Sequence, residues 1–115
     1  MKRLLQIACV LAIATTVPAT AQFTGPGAAG AEVSAAQATA ARPGTYVTLV
    51  GNIVTHLRGD YYTFRDSSGE IRVEIASNLF QNRRVSPETR VRLLGEVDSG
   101  RSGPYVWVKA LDIVP

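Results

Sequence analysis

Cysteine, histidine and tryptophan each occur only once in this 115-residue chain, which removes much of the usual chemistry of enzyme and metal sites. A lone His56 cannot supply the three or four ligands that a zinc site needs, so we expect it on a surface turn. The sequence also lacks a Ser-His-Asp order, a paired-carboxylate motif and a glycine-rich phosphate loop that follows a strand. These absences predict a protein that is not an enzyme and that holds no cofactor or metal.

A large excess of charge of one sign is also missing. The formal net charge is +3, from 12 basic and 9 acidic residues. Lys2 and Arg3 belong to an N-terminal export signal, and without them 10 basic residues face 9 acidic ones. Proteins that bind nucleic acid draw much of their affinity from basic residues that neutralise phosphates. The near-neutral balance therefore argues against nucleic acid as a partner.

No apolar run in the chain is long enough to span a membrane. Residues 4–17 form a run of 14, whereas a spanning helix needs about 20. The run follows two basic residues and precedes the small residues 19–21, which is the order of a secretory signal peptide. Residues 1–21 are therefore predicted to be a signal peptide cleaved after Ala21. The remaining 94 residues have no cysteine, because Cys9 leaves with the signal, and are enough for one small domain.

Residues 22–44 are expected to form a leader ahead of the folded domain. Glycine, alanine and proline dominate residues 22–31, which predicts an extended segment. Residues 32–41 are mostly alanine and predict a short helix with little surface to bury. Pro43 and Gly44 then end the helix, and the domain spans residues 45–115.

In this domain, apolar and polar residues alternate along five segments, which is the pattern of half-buried strands. Turn sequences at residues 58–60 and 67–69 separate the first three. Residues 77–84 lack the alternation and predict one or two helical turns, with Ser77 as N-cap. The predicted strands are residues 45–57, 61–66, 70–75, 90–98 and 105–114.

Five short strands with a helix between the third and the fourth have the topology of an OB-fold. The predicted class is all-β: a five-stranded Greek-key barrel with an N-terminal helix and a short helix between strands three and four. Gly51 and Gly95 suit the bends of such a barrel. Asp66 is assigned to a tight turn, where its side chain caps backbone amides, rather than to a cation site with Asp60 and Glu70. The predicted interior consists of Tyr62, Phe64, Ile71, Val73, Ile75, Val91, Leu93, Val97, Val106 and Val108.

Four stretches carry a resemblance to a known family: residues 51–54, 60–66, 69–75 and 95–98. With residues 23–26 at the start, they resemble the bacterial OB-fold family of small periplasmic proteins, the YgiW/YdeI stress-tolerance type. The resemblance covers residues 23–114. It implies a periplasmic binding domain, expected to be a monomer, that is linked to tolerance of envelope or oxidative stress and has no catalytic residues.

The outward face of the predicted barrel is the candidate site. Aromatic rings flanked by arginines are the physical basis of ligand binding on such barrels. The expected ligand is a small envelope glycan or peptide, or else a protein partner. The alternatives are a structural accessory protein whose sheet face binds nothing and, less favoured, a protein that binds single-stranded nucleic acid. The candidate contact residues are Tyr61, Arg65, Arg72, Glu74 and Trp107.

Cleavage of the predicted export signal can be tested directly. When the full chain is expressed in a Gram-negative cell, we expect the protein in the periplasmic fraction with Gln22 as its first residue. N-terminal sequencing or intact mass measurement checks this. A cytosolic protein that keeps residues 1–21 would contradict it.

Overall fold

The computed structural model describes residues 30–115. The predicted signal peptide and residues 22–29 of the leader lie outside the described residues. Within the described part, no helix is long and apolar enough to cross a membrane. The elements in chain order are β1 (Ala31–Glu32), α1 (Ala35–Ala40), β2 (Tyr46–Arg58), β3 (Tyr61–Asp66), β4 (Gly69–Glu74), a 3-10 helix (Ser77–Phe80), β5 (Arg90–Gly100) and β6 (Gly103–Ile113).

Strand β2 closes the sheet into a barrel. Its first half, from Tyr46 to Asn52, pairs with β5, and its second half, from Asn52 to Arg58, pairs with β3. The order around the barrel is β2-β3-β4-β6-β5 and back to β2. The β4–β6 pairing is parallel and the other pairings around the barrel are antiparallel. This is the order of a five-stranded Greek-key OB-fold, so the predicted all-β class is confirmed.

The barrel interior is filled by apolar side chains at alternate positions of the five strands. Nine of the ten predicted interior residues are buried, and each contributes about 1.5–3 kcal/mol of hydrophobic stabilisation. Tyr62 is the exception. It is only half-buried, and its ring stacks on His56 at 4.6 Å and meets Phe80 edge-on at 5.7 Å. Tyr62 therefore covers the side of the barrel next to the 3-10 helix. Its partner His56 stands beside a register shift in β2, between His56 and Arg58.

Helix α1 is shorter than predicted but better packed. Residues 31–32 form β1, which pairs in parallel with β2, so the helix begins only at Ala35. Ser34 caps it in a capping box with Gln37, in which each side chain accepts a hydrogen bond from the other residue's backbone amide. Ala35 and Ala38 are fully buried, so the expectation that this helix buries little was wrong. Their methyl side chains allow the helix to lie directly against the barrel.

The connection between β4 and β5 also differs from the prediction. Only Ser77–Phe80 is helical, and the N-cap is Ala76, whose side chain cannot cap, so the prediction of Ser77 as N-cap was wrong. Gln81 and Asn82 take the left-handed conformation, which ends the helix after one turn. Arg83 then donates hydrogen bonds to the carbonyls of Phe80, Leu79 and Leu111, which fasten the segment to β6.

Gly51 and Gly95 lie where strands approach most closely. A Cβ atom on Gly51 would lie 2.5 Å from the Arg65 carbonyl oxygen and 2.7 Å from the Phe64 ring. A Cβ atom on Gly95 would lie 2.5 Å from the Trp107 carbonyl oxygen. Real side chains do not approach backbone so closely, so both positions require glycine if the barrel is to close.

We expect Gly51→Ala and Gly95→Ala each to lower the free energy of unfolding by about 1–3 kcal/mol, because the methyl group forces strands apart. Urea denaturation monitored by Trp107 fluorescence measures this. Gly59→Asn is the control, since Gly59 has nothing within 4 Å and asparagine tolerates its positive φ. Equal stabilities of Gly51→Ala and Gly59→Asn would contradict the close approach.

The β3–β4 turn holds the N-terminus of α1. The Asp66 carboxylate accepts hydrogen bonds from the Ala35 amide at 2.8 Å and from the Ser68 amide and hydroxyl. Ser68 in turn accepts one from the Ala36 amide. Burial acts to raise the pKa of Asp66, but the hydrogen bonds outweigh it and hold the pKa below its usual value. Asp66 thus caps its own turn, as the sequence indicates, and a distant helix as well.

Replacing Asp66 with asparagine is expected to lower the free energy of unfolding by about 1–2 kcal/mol at neutral pH, because charged caps of α1 are lost. The pKa of Asp66 is lower in the folded protein than in the unfolded chain, where it is about 3.9. The stabilisation of the fold by the Asp66 carboxylate is therefore present above the unfolded-state pKa and is lost as the pH falls through the folded-state pKa. Urea midpoints of the two proteins should therefore converge below about pH 4. A difference that does not depend on pH would contradict this role.

Candidate functional site

Two hairpin turns border a groove on the outside of the barrel. One is the β2–β3 turn and the other is the β5–β6 turn, and β4 lies between these two hairpins in the sheet. The groove, here called the turn groove, has a volume of about 300 Å³. It is lined by Leu57, Arg58, Tyr61, Arg72, Gly100, Arg101, Ser102 and Tyr105.

Both turns contain only two residues, so the strands extend to the edge of the groove. The β2–β3 pairing ends at Arg58 and Tyr61, and Gly59 between them has a φ of 56°. The β5–β6 pairing continues to Gly100 and Gly103. The sequence analysis placed the facing strand ends at residues 98 and 105, so this hairpin is two residues longer on each strand than predicted. The positive φ of Gly103, which glycine adopts without strain, permits the tight turn.

Arg72 lies against two tyrosine rings in the turn groove. Its guanidinium carbon is 5.2 Å from the ring centroids of both Tyr61 and Tyr105. The two rings meet edge-on, with their centroids 5.9 Å apart. Strand register produces this arrangement. Arg72 is paired directly with Tyr105 on β6. On β3 it is paired with Thr63, so that it lies diagonally across from Tyr61, two residues away. Such cation–π contacts stabilise by about 0.5–2 kcal/mol each and fix the guanidinium in place.

The backbone at Gly100 packs against this cluster. A Cβ atom there would lie 3.3 Å from Arg72 Nη2 and 3.3 Å from the Tyr105 ring. The Tyr105 hydroxyl donates a hydrogen bond to Asp98 at 3.3 Å. Burial, followed by the negative charge of Asp98, raises the pKa of Tyr105, so the phenol stays protonated at neutral pH. The groove is thus built from a pre-positioned arginine and two tyrosine rings.

The arginines of the groove have no acidic partners. Within residues 30–115, the ion pairs are Arg65 with Glu70 and Lys109 with Glu96. Neither pair involves Arg58, Arg72 or Arg101, the three that line the groove. The Nε atom of Arg72 is also buried without a hydrogen-bond partner in the described part of the chain. The groove lining therefore carries three arginines that form no ion pair within the described residues.

The five predicted contact residues are divided among three places. Tyr61 and Arg72 lie together in the turn groove. Glu74 is paired with both Tyr61 and Trp107, on the same sheet face but outside the groove lining. Trp107 is 46% exposed, and Lys109 Nζ lies 3.5 Å from its ring centroid. Arg65 is exposed near the β3–β4 turn and is held by Glu70 at 2.6 Å.

Sequence reasoning left several lining residues out of the site. Leu57 and Arg58 lie at the exposed end of β2 and Arg101 lies in the β5–β6 turn, where residues are usually assigned to solvent. A signal was present, since both turn sequences, residues 58–60 and 101–103, begin with arginine and contain glycine. That these two turns border one groove follows only from the barrel order.

Two other features of the described residues offer less chemistry. His56 is exposed near the end of β2, with Nε2 2.9 Å from the Gly59 carbonyl oxygen. No group of three or more His, Cys, Asp or Glu side chains within residues 30–115 is arranged to hold a metal ion. A larger cavity, of about 680 Å³, lies beside α1, and its charged lining residues are Glu32, Arg65, Asp66 and Arg90. Arg65 and Asp66 already have partners, in Glu70 and in the amides that Asp66 caps, and the lining mixes both signs of charge.

Comparison with known proteins reveals close relatives. The chain is 35% identical over 112 residues to the calcium-regulated OB-fold protein CarO of Pseudomonas aeruginosa, covering 97% of both chains. The solved structure of the hypothetical protein YgiW from E. coli has a TM-score of 0.72 and 34% identity, over 81% of this chain and 100% of that one.

A more distant likeness concerns the fold alone. The structure of U. maydis replication protein A bound to single-stranded DNA matches with a TM-score of 0.56 and 13% identity, over 75% of this chain and 73% of that one. By contrast, the family model described as "Bacterial OB fold (BOF) protein" matches residues 13–113. With nearly the whole chain matched by that model and by relatives above 30% identity, this protein belongs to the bacterial OB-fold family.

Proposed function

We propose that this protein is a non-enzymatic periplasmic binding protein that supports tolerance of envelope or oxidative stress by holding an envelope ligand in the turn groove. The ligand is a glycan or peptide, or a segment of a protein partner. The predicted export signal supports the compartment, and the names of the protein's relatives, which describe no enzyme, support a non-enzymatic role.

One observation carries the proposal: the guanidinium of Arg72 lies against both Tyr61 and Tyr105, in a groove bordered by two turns. OB-folds bind their ligands on the face of their second and third strands and between these two turns. Here β3 and β4 are the second and third barrel strands and supply Tyr61 and Arg72. A side chain fixed before binding loses little conformational entropy when the ligand arrives.

The lining of the groove guides the choice among ligands. CarO is described as calcium-regulated, but the lining contains guanidinium groups and no carboxylate, so a calcium ion is not the ligand proposed for this groove. Single-stranded nucleic acid is the second candidate, since arginine and tyrosine side chains also contact bases and phosphates in other OB-folds. The acidic residues Glu74, Glu96 and Asp98 on the same face disfavour a phosphate backbone that crosses it.

The double variant Tyr61→Ala/Arg72→Ala tests the proposed site. Full-length protein is expressed, purified from the periplasm and incubated with envelope extract, and retained components are identified by mass spectrometry after ultrafiltration. We expect the wild type to enrich a component that the double variant retains at least about tenfold more weakly, because each lost contact contributes on the order of 1 kcal/mol.

The control is Arg65→Ala, which removes an exposed arginine of the same sheet outside the groove. It should retain the component as the wild type does, and all three proteins should show cooperative thermal unfolding. Equal retention by the wild type and the double variant would exclude the turn groove. Tight binding of an oligonucleotide that weakens steeply with salt would favour the nucleic-acid candidate instead.

A further inference from the structure

The turn groove has a local charge that the composition of the chain does not suggest. Three of the eight lining residues, Arg58, Arg72 and Arg101, are arginines, and none is acidic. Without residues 1–21 the whole chain has an excess of only one basic residue. Folding has therefore gathered nearly a third of the remaining basic residues around one small groove.

These arginines form no ion pairs within the described residues. The ion pairs of residues 30–115 lie elsewhere, and the buried Nε of Arg72 has no acceptor there. Three like charges around one groove repel each other, and a buried donor without an acceptor is unfavourable. An anion in the groove would relieve the repulsion.

The geometry also selects the kind of anion. A guanidinium group presents a planar fork of donors that matches carboxylate and phosphate oxygens. Arg58 ends β2 at one turn and Arg101 lies in the other turn, so they border the groove on two sides, while Arg72 is held against the two tyrosine rings. Donors on several sides suit a compact group with several oxygens.

The size and the apolar part of the groove limit the ligand further. A volume of about 300 Å³ is at the lower end of the range for small-molecule sites, which is about 300–1,000 Å³. Leu57 is 48% exposed at the groove and offers an apolar contact next to the arginines. The ligand therefore combines an anionic group with an adjoining apolar part.

We propose that the turn groove binds the phosphate or carboxylate group of a small ligand, with Arg58 and Arg101 closing on it from the two turns above Arg72. This inference rests on the proposed function, since it names the chemistry that the same groove recognises.

The test uses two simple anions, inorganic pyrophosphate and citrate, with isothermal titration calorimetry at constant ionic strength. The variant Arg58→Gln/Arg101→Gln alters two turn side chains that are exposed and outside the barrel interior. We expect at least one anion to bind the wild type and the double variant to bind it at least tenfold more weakly. Binding should also weaken as sodium chloride is added, because the contact is between charges.

The matched control is Arg84→Gln/Arg92→Gln, which removes the same charge from exposed positions outside the groove. It should bind the anion as the wild type does. Binding of pyrophosphate alone identifies a phosphate ligand, binding of citrate alone identifies a carboxylate ligand, and binding of both supports the shared chemistry. Binding of neither anion, or an equal loss in both double variants, would overturn the proposal.

The two proposals fail in different ways. If an envelope component is lost from Tyr61→Ala/Arg72→Ala but is not displaced from the wild type by saturating pyrophosphate or citrate, the groove is the site and its anionic chemistry is wrong. If both anions bind through Arg58 and Arg101 but the envelope extract supplies no ligand, the anion site stands and the proposed function fails.

Discussion

Closure of the barrel depends on the bend in β2, where one strand changes its neighbour from β5 to β3. Asn52 marks the change, since its backbone is paired with Arg90 on one side and with Arg65 on the other. Its side chain amide also donates hydrogen bonds to the carbonyls of Pro87 and Thr89. The adjacent Gly51 leaves room for the Phe64 ring and for the backbone of β3. Without a bend at this point, the sheet would stay open and its interior would face water.

The two pairings of β4 create the candidate site. Because β4 pairs with β3 on one side and with β6 on the other, the β2–β3 and β5–β6 hairpins lie on either side of it. Arg72 on β4 then reaches a tyrosine from each neighbouring strand. Three arginines that are 14 and 29 residues apart in sequence come to border one groove of about 300 Å³. The binding chemistry of this protein is therefore a product of topology more than of composition.

The two segments outside the strands, α1 and the connection after β4, differ from their predictions for the same reason. The alanine-rich segment has no alternation that would show it to be packed, yet Ala35 and Ala38 are fully buried because Asp66 and Ser68 of a distant turn hold the helix against the barrel. The segment after β4 is held by Arg83, whose acceptors include the distant carbonyl of Leu111. Long-range hydrogen bonds decide both segments, and a local pattern does not contain them.

The sequence alone determined the five strands, the family, and most of the barrel interior, because a period of two places the same face of each strand inside whatever its partners are. It also pointed to Tyr61 and Arg72, which alternate outward on β3 and β4. Only the tertiary structure decided that these two meet Tyr105, Arg58 and Arg101, while Arg65 lies apart with Glu70. The physical reason is that alternation is a property of one strand, whereas a groove depends on the register and closure of several.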